Sequence, residues 1–167
     1  MSRSHGNVIA DSLGLGLGYG EQLLAGVTAE KFGRLANTGR SPIRSNHPVF
    51  IYGHLSLYAP QIIAHLGTDV PSLRTPDRFE SLFSQDATCR DDPDKKIYPA
   101  KDEVTNFFFD SYRAAAEMLR SVDDRVLQQR NPSGGGMAEL FPTVGSMLNF
   151  YAGGHFMMHL GQMSAWR

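Results

Sequence analysis

The stretch that decides the fold is SNHPVFIYGHLSLYAPQIIAHLGT, residues 45–68. It contains no Lys, Arg, Asp or Glu, and a second charge-free stretch, LFPTVGSMLNFYAGGHFMMHLGQMSAW, covers residues 140–166. Either is long enough to cross a bilayer, but both carry His, Asn, Gln, Ser and Gly, and the first contains Pro48 and Pro60, which argues against membrane spans. Both stretches are typical of helices wrapped by other helices or by a second subunit.

The first stretch predicts a helix over residues 46–67, with Asn46 as its N-cap, Pro60 as a kink and Gly67 at its end. The second predicts a helix that Thr143 opens and that continues to the end of the sequence.

Two further helices are predicted from apolar residues at helical spacing. Residues 7–25 carry Leu13, Leu17 and Leu24, and Val27 follows. From Lys101 onwards an apolar face recurs every three or four residues. Residues 68–99 are polar and broken, with one short helix in PDRFESLFS. A connection this long can run the full height of a bundle, so the sequence predicts an all-α, single-domain four-helix bundle over residues 1–167, with a long crossover between helices 2 and 3.

The run LGLGLGYGE, residues 13–21, has a glycine at every second position. A dinucleotide fingerprint needs GxGxxG between a strand and a helix, and a P-loop needs GK[ST]; neither is present, which disfavours nucleotide binding. We interpret the run as part of the first helix, with Gly14 and Gly18 four positions apart to let a neighbouring helix approach closely.

Composition excludes several function classes. Sixteen basic and seventeen acidic residues give a formal net charge of −1 without a basic block, which disfavours a nucleic-acid groove or a polybasic membrane patch. The single cysteine, Cys89, excludes an internal disulfide and a thiolate zinc cluster. The first residues lack the apolar core of a signal peptide, so the sequence predicts a bacterial, cytoplasmic protein.

Five of the six histidines lie in the two charge-free stretches. His155 and His159 are four positions apart, which places them on one helix face where both imidazoles can reach one divalent ion. The alternative is an ordinary pair of core or surface histidines. Gly153 and Gly154 are expected to clear space beside the pair, and a metal would remove the cost of burying two unpartnered imidazoles.

A third ligand is expected from the second helix, where His47, His54 and His65 fall within about 20° of one face. His54 is nearest the helix middle and follows Gly53, another residue that leaves room, so it is the natural choice. His47 is expected to face solvent or cap the helix, and His65 to make a core hydrogen bond or to support a ligand.

The phrases NHPVFIYGHLSLY and GGHFMMHLGQMSAWR, separated by a long gap, resemble the DinB/YfiT-like family of bacterial helical-bundle metalloproteins. In that family a His from a GHL phrase joins two His of an HxxxHxGQ segment. The resemblance implies up-down-down-up topology and a divalent metal held by His54, His155 and His159, with no protein carboxylate assigned as a fourth ligand. It also implies a thiol-dependent transferase or isomerase whose metal activates a small thiol cofactor such as bacillithiol or mycothiol.

Three neutral imidazoles leave coordination positions open to water or to a small-molecule substrate, and they suit zinc, nickel or iron(II) alike. A metal-dependent hydrolase and a non-enzymatic helical module with a filled or vestigial site are therefore alternatives. Tyr58, Tyr151 and Gln162 are candidates for residues that surround the site, and the alternative for each is ordinary packing or a helix-end hydrogen bond. Cys89 is not expected to be catalytic.

The sequence also allows predictions about the charge of the ligand and about the oligomeric state. Arg44, Arg74 and Arg78 are candidates for a basic pocket that would bind an acidic thiol. Because two helices lack charge along nearly their full length, a symmetric homodimer that buries part of them is expected.

Overall fold

The structure is a computed structural model that describes residues 3–167. Within this range the chain is mostly helical, with isolated bridges at Asn37–Pro42 and Arg130–Thr143 and no strand. The all-α prediction is confirmed. The helices are α1 (His5–Leu24), α2 (Ala29–Phe32), α3 (Pro48–Ser56), α4 (Tyr58–His65), α5 (Asp77–Phe83), α6 (Lys101–Ser121), α7 (Asp124–Leu127), α8 (Gly135–Leu140), α9 (Val144–Asn149) and α10 (His155–Trp166), with a 3-10 turn at Pro71–Leu73 and a π-helix at Phe150–Gly154.

The glycine-rich run lies inside α1, as predicted, but different glycines make the close contacts. A Cβ atom at Gly14 or Gly18 would meet nothing within 4 Å. A Cβ at Gly6 would overlap the carbonyl oxygen of Leu119, and one at Gly16 would lie 2.9 Å from the ring of Phe156. The expectation for Gly14 and Gly18 was therefore wrong, because the buried face of α1 recurs at three-to-four spacing through positions 6, 9, 13, 16 and 20.

The second predicted helix is divided into α3 and α4 at Leu57. Pro60 explains the break, because it has no backbone N–H to donate to the carbonyl of Ser56, four residues earlier, and its ring crowds that carbonyl. The N-cap is His47 and not Asn46: the Nδ1 atom of His47 accepts from the backbone N–H of Phe50 at 3.3 Å. Gly67, with a φ of 80°, follows the end of α4 as predicted.

The last helical segment is continuous but not uniform. Thr143 caps it, and a capping box with Ser146 satisfies the first backbone donors. Five residues, Phe150–Gly154, form the π-helix between α9 and α10. The wider π turn changes the direction in which the following side chains point, so it sets the position of the α10 histidines.

Four long helical segments share one aromatic and aliphatic core: α1, α3 with α4, α6, and the segment from α9 to α10. Tyr52 and Tyr112 are fully buried, and each hydroxyl donates to a backbone carbonyl, of Gly20 at 2.7 Å and of Leu55 at 2.9 Å. Short α5, from the connection between α4 and α6, packs on α3. Across residues 3–167, every helix falls short of the length or the apolar character that a membrane crossing requires.

Candidate metal centre

Three buried histidines converge between α3 and α10. The Nε2 atom of His155 lies 3.3 Å from Nε2 of His54 and 3.2 Å from Nε2 of His159. The three residues offer ligand atoms that all lie within 4.8 Å of one another. The structure thus brings together the three histidines that the sequence singled out, and it does so through the same ring atom of each.

His54 is held from its far side by α5. Its Nδ1 atom lies 2.7 Å from the carbonyl oxygen of Phe83. A carbonyl can only accept, so Nδ1 carries the proton and the Nε2 lone pair points at the other histidines. Gly53 makes this contact feasible, because a Cβ atom there would lie 2.5 Å from the Phe83 ring. Gly53 therefore leaves the space that the Phe83 ring occupies, and the Phe83 carbonyl orients His54.

His159 is held in the same way by an amide. Its Nδ1 atom lies 3.0 Å from Oε1 of Gln162, one turn further along α10, and the same oxygen accepts from Nδ2 of Asn46 at 3.1 Å. Because this oxygen is only an acceptor, His159 is also protonated at Nδ1, and its Nε2 lone pair points inward. Gln162 therefore acts on the site through His159.

The donor set fits a divalent ion. Two nitrogen ligands of a tetrahedral ion at about 2.0–2.1 Å are about 3.3–3.4 Å apart, close to the Nε2 separations of His155 from its two neighbours. Without a cation, the Nε2 lone pairs of His54 and His159 both point at His155, which has one Nε2 hydrogen at most. The Nδ1 atom of His155 is buried and, among the described residues, has no hydrogen-bond partner.

All three imidazoles are expected to be neutral near pH 7. Burial is the main cause that lowers the pKa of each, to about 3 for His155 and to about 4 for His159, with mutual charge repulsion next. The pKa of His54 is also lowered by burial. A neutral imidazole is the form that coordinates a metal, so the site need not lose protons to bind one near neutrality.

The π-helix that precedes His155 was not predicted from the sequence. Gly153 and Gly154 were expected to clear space beside the histidines, but a Cβ atom at either would make only ordinary contacts, at 3.9 and 3.5 Å within the same helical segment. The expectation was wrong as to their role. Paired glycines lower helix propensity, and this was the available signal that the α-helical hydrogen-bond pattern is interrupted before His155.

A cavity of about 500 Å³ opens onto the three histidines. Its walls include the apolar Phe50, Met137 and Phe150 and the hydroxyl-bearing Tyr58 and Tyr151. The rings of Tyr58 and His155 are 4.3 Å apart between centroids. Burial raises the pKa of both tyrosines, so their hydroxyls stay protonated near neutral pH. No Asp or Glu from residues 3–167 lines this cavity.

His47 and His65 lie outside the histidine cluster. His47 is fully buried, so the prediction that it faces solvent was wrong, whereas the capping prediction was right. Its Nε2–H donates to the carbonyl of Arg90 at 2.8 Å, because Nδ1 is already the acceptor of the cap. His65 is half-buried in the last turn of α4.

The three candidate arginines and Cys89 differ in their surroundings. Arg74 is paired with Asp69, and Arg78 with Glu103 at 2.7 Å, both on the surface. Arg44 instead lines a second cavity, together with Cys89. Burial raises the pKa of the Cys89 thiol to about 11, which keeps it protonated and agrees with the expectation that it is not catalytic.

No model of a known protein family matches the chain, and a search of curated proteins found none similar to it. The histidine geometry is therefore the main support for a functional assignment.

Proposed function

We propose that this protein binds one divalent transition-metal ion through His54, His155 and His159. We propose further that the metal-loaded protein is a transferase or isomerase that acts with a small thiol. The observation that carries the proposal is the convergence of three neutral imidazoles on one point at the edge of a cavity. The resemblance to the DinB/YfiT-like family is consistent with it and is part of the proposal.

The residues around the ligands have separable tasks. The Phe83 carbonyl and the Gln162 amide orient His54 and His159. Phe50 stacks parallel to the His54 ring at 6.5 Å between centroids and closes one side of the cavity. The Tyr58 ring lies beside the His155 ring, and its protonated hydroxyl can donate a hydrogen bond to a molecule bound in the cavity. When bound, the ion would supply a Lewis acid that lowers the pKa of a thiol or water beside it.

The cavity wall limits how a bound water could be activated. Many hydrolases use a carboxylate or an uncommitted histidine as the base that takes a proton from the attacking water. Within the described residues the cavity offers neither, because its histidines are those assigned to the metal. A water or a thiol would therefore ionise beside the ion itself, and we propose the thiol because the family resemblance implies it.

The proposal extends to topology: an up-down-down-up bundle with α3/α4 parallel to α6. In support, Tyr52 packs on Phe108 and Leu55 accepts from Tyr112, so residue numbers rise together on the two helices. Between α3 and α10 the numbers run in opposite senses, since Asn46 contacts Gln162 and His54 contacts His155. The long connection from α4 to α6 is the crossover that this arrangement requires.

We also propose a homodimer that forms in the cytoplasm. In support, Leu15 on α1 and Met157 on α10 are 76% and 41% exposed on neighbouring helices.

The test is elemental analysis of untagged protein, followed by a screen for thiol consumption with candidate electrophiles and the metal identified. The proposal predicts stoichiometric metal and loss of thiol that stops when a chelator removes the ion. Turnover that needs metal but no thiol would favour the hydrolase. Stoichiometric metal with no turnover in either assay would favour a non-enzymatic module.

A further inference from the structure

A second cavity of about 500 Å³ lies next to the histidine cavity. Asn46 lines both, so the two cavities are on either side of this one residue. Asn46 is held in place because its side-chain N–H donates to Gln162, the residue that orients His159. A molecule that passes Asn46 would therefore have one end at the histidines and the other in the second cavity.

The second cavity carries unpaired positive charge. Arg44 and Arg90 both line it, and among the described residues no carboxylate forms an ion pair with either guanidinium. The side chain of Arg90 has the neutral Tyr98 hydroxyl as a partner. Asp91 also lines it, but its carboxylate is engaged by Arg34 at 2.9 Å and by the backbone N–H of Leu35 at 2.8 Å. The charge left to meet a ligand is thus that of two arginines.

The backbone of Arg90 is fixed on both sides. Its N–H donates to the hydroxyl of Tyr98 at 2.9 Å, and its carbonyl accepts from Nε2 of His47 at 2.8 Å. His47 is itself fixed as the N-cap of α3, the helix that carries His54. The loop that presents Arg90 and the helix that presents His54 are therefore joined through one buried side chain. This gives the buried His47 a role in setting the distance between the two cavities.

We infer that the second cavity binds an oxyanion, a carboxylate or a phosphate, at the far end of the same small molecule whose thiol end reaches the histidine cluster. This inference rests on the proposed function and narrows its substrate class to elongated thiols with an acidic group. Arginine suits that group because its planar fork donates two parallel hydrogen bonds to such an anion. Arg44 and Arg90 would be specificity-determining residues.

The experiment uses cobalt-loaded protein, in which thiolate binding to the ion produces a near-ultraviolet absorption band. The probes are mercaptohexanoate and the matched neutral mercaptohexanol, with shorter and longer acids to vary the reach. A phosphonate of the same chain length distinguishes a preference for a phosphate-like group from one for a carboxylate. We expect either the carboxylate or the phosphonate, at a suitable chain length, to bind about tenfold more tightly than the alcohol.

Arg44→Gln/Arg90→Gln should abolish the preference for the acid and leave the affinity for mercaptohexanol and the cobalt content unchanged. Arg40→Gln is the matched control, because Arg40 is exposed and lies outside this cavity. Equal affinity for acids and alcohol at every chain length, or a preference that survives the double substitution, would overturn the inference while leaving the proposed function intact. If no thiol changes the spectrum, the proposed function fails and the inference fails with it.

Discussion

His54 and His155 place their Nε2 atoms 3.3 Å apart although 101 positions separate them in the sequence. Each belongs to a helix in a charge-free stretch, and each ring is buried. Two neutral imidazoles gain little from such an approach beyond one hydrogen bond, and here a third imidazole joins them. A cation that accepts all three lone pairs gives the arrangement a physical reason.

Gln162 is expected to control metal affinity without touching the metal. Gln162→Leu removes the acceptor that holds the Nδ1 proton of His159, and we expect metal affinity to fall by about 10–100-fold. Gln162→Glu keeps an acceptor at the same place and should retain most of the affinity. Competition with a chelator measures both. Equal affinity in wild type and Gln162→Leu would show that this hydrogen bond does not tune the site.

Gly53 is expected to be required for the seating of Phe83. In Gly53→Ala the new Cβ atom would lie 2.5 Å from the Phe83 ring, so we expect a loss of about 1–3 kcal/mol in the free energy of unfolding. Gly18→Ala is the matched control: it also lies in a helix but faces open space, and it should gain about 0.5–1 kcal/mol. Urea denaturation gives both values. The packing account fails if the two substitutions have similar effects.

Stability is expected to depend on pH through His47. Burial lowers its pKa in the folded protein, so below the ordinary value of about 6.5 the unfolded chain binds a proton that the folded chain does not. Stability from this group is full above about pH 7 and is lost as the pH falls towards the lowered, folded-state pKa. In metal-free protein, His47→Asn, which keeps a capping side chain, should show a shallower decline between about pH 7 and 5. Parallel declines in the two proteins would contradict this.

The proposed dimer is expected to dissociate when charge is placed on the exposed face of α1. Sedimentation velocity of wild type at micromolar concentration should give a dimer, and Leu15→Glu should give a monomer, because the new carboxylates would be desolvated in the interface. Leu140→Glu is the control, since Leu140 is 73% exposed but lies on α8. A monomeric wild type would reject the dimer.

The convergence of the three histidines could be predicted because spacing along one helix is a local property. His155 and His159 had to share a face once α10 was helical, and His54 was nearest the middle of the predicted second helix, over residues 46–67. Thr143 and Gly67 marked helix boundaries correctly for the same reason, since capping depends on a few neighbouring residues.

Other features depend on tertiary contacts and could not be predicted in this way. Whether Gly14 or Gly16 meets a neighbouring helix depends on the rotation of α1 about its axis, which alternating glycines do not specify. The burial of His47 depends on Arg90, which belongs to a distant loop. The role of Gly53 depends on Phe83, from α5, a helix outside the four main segments.

The most direct test of the central claim is the metal content of untagged protein after gel filtration. We expect wild type to hold one ion per chain, His155→Ala/His159→Ala to hold almost none, and His65→Ala, which lies outside the cluster, to match wild type. Circular dichroism confirms that each variant is folded. Stoichiometric metal retained in the folded double variant would contradict the account, because His54 would then be the one remaining ligand of the three.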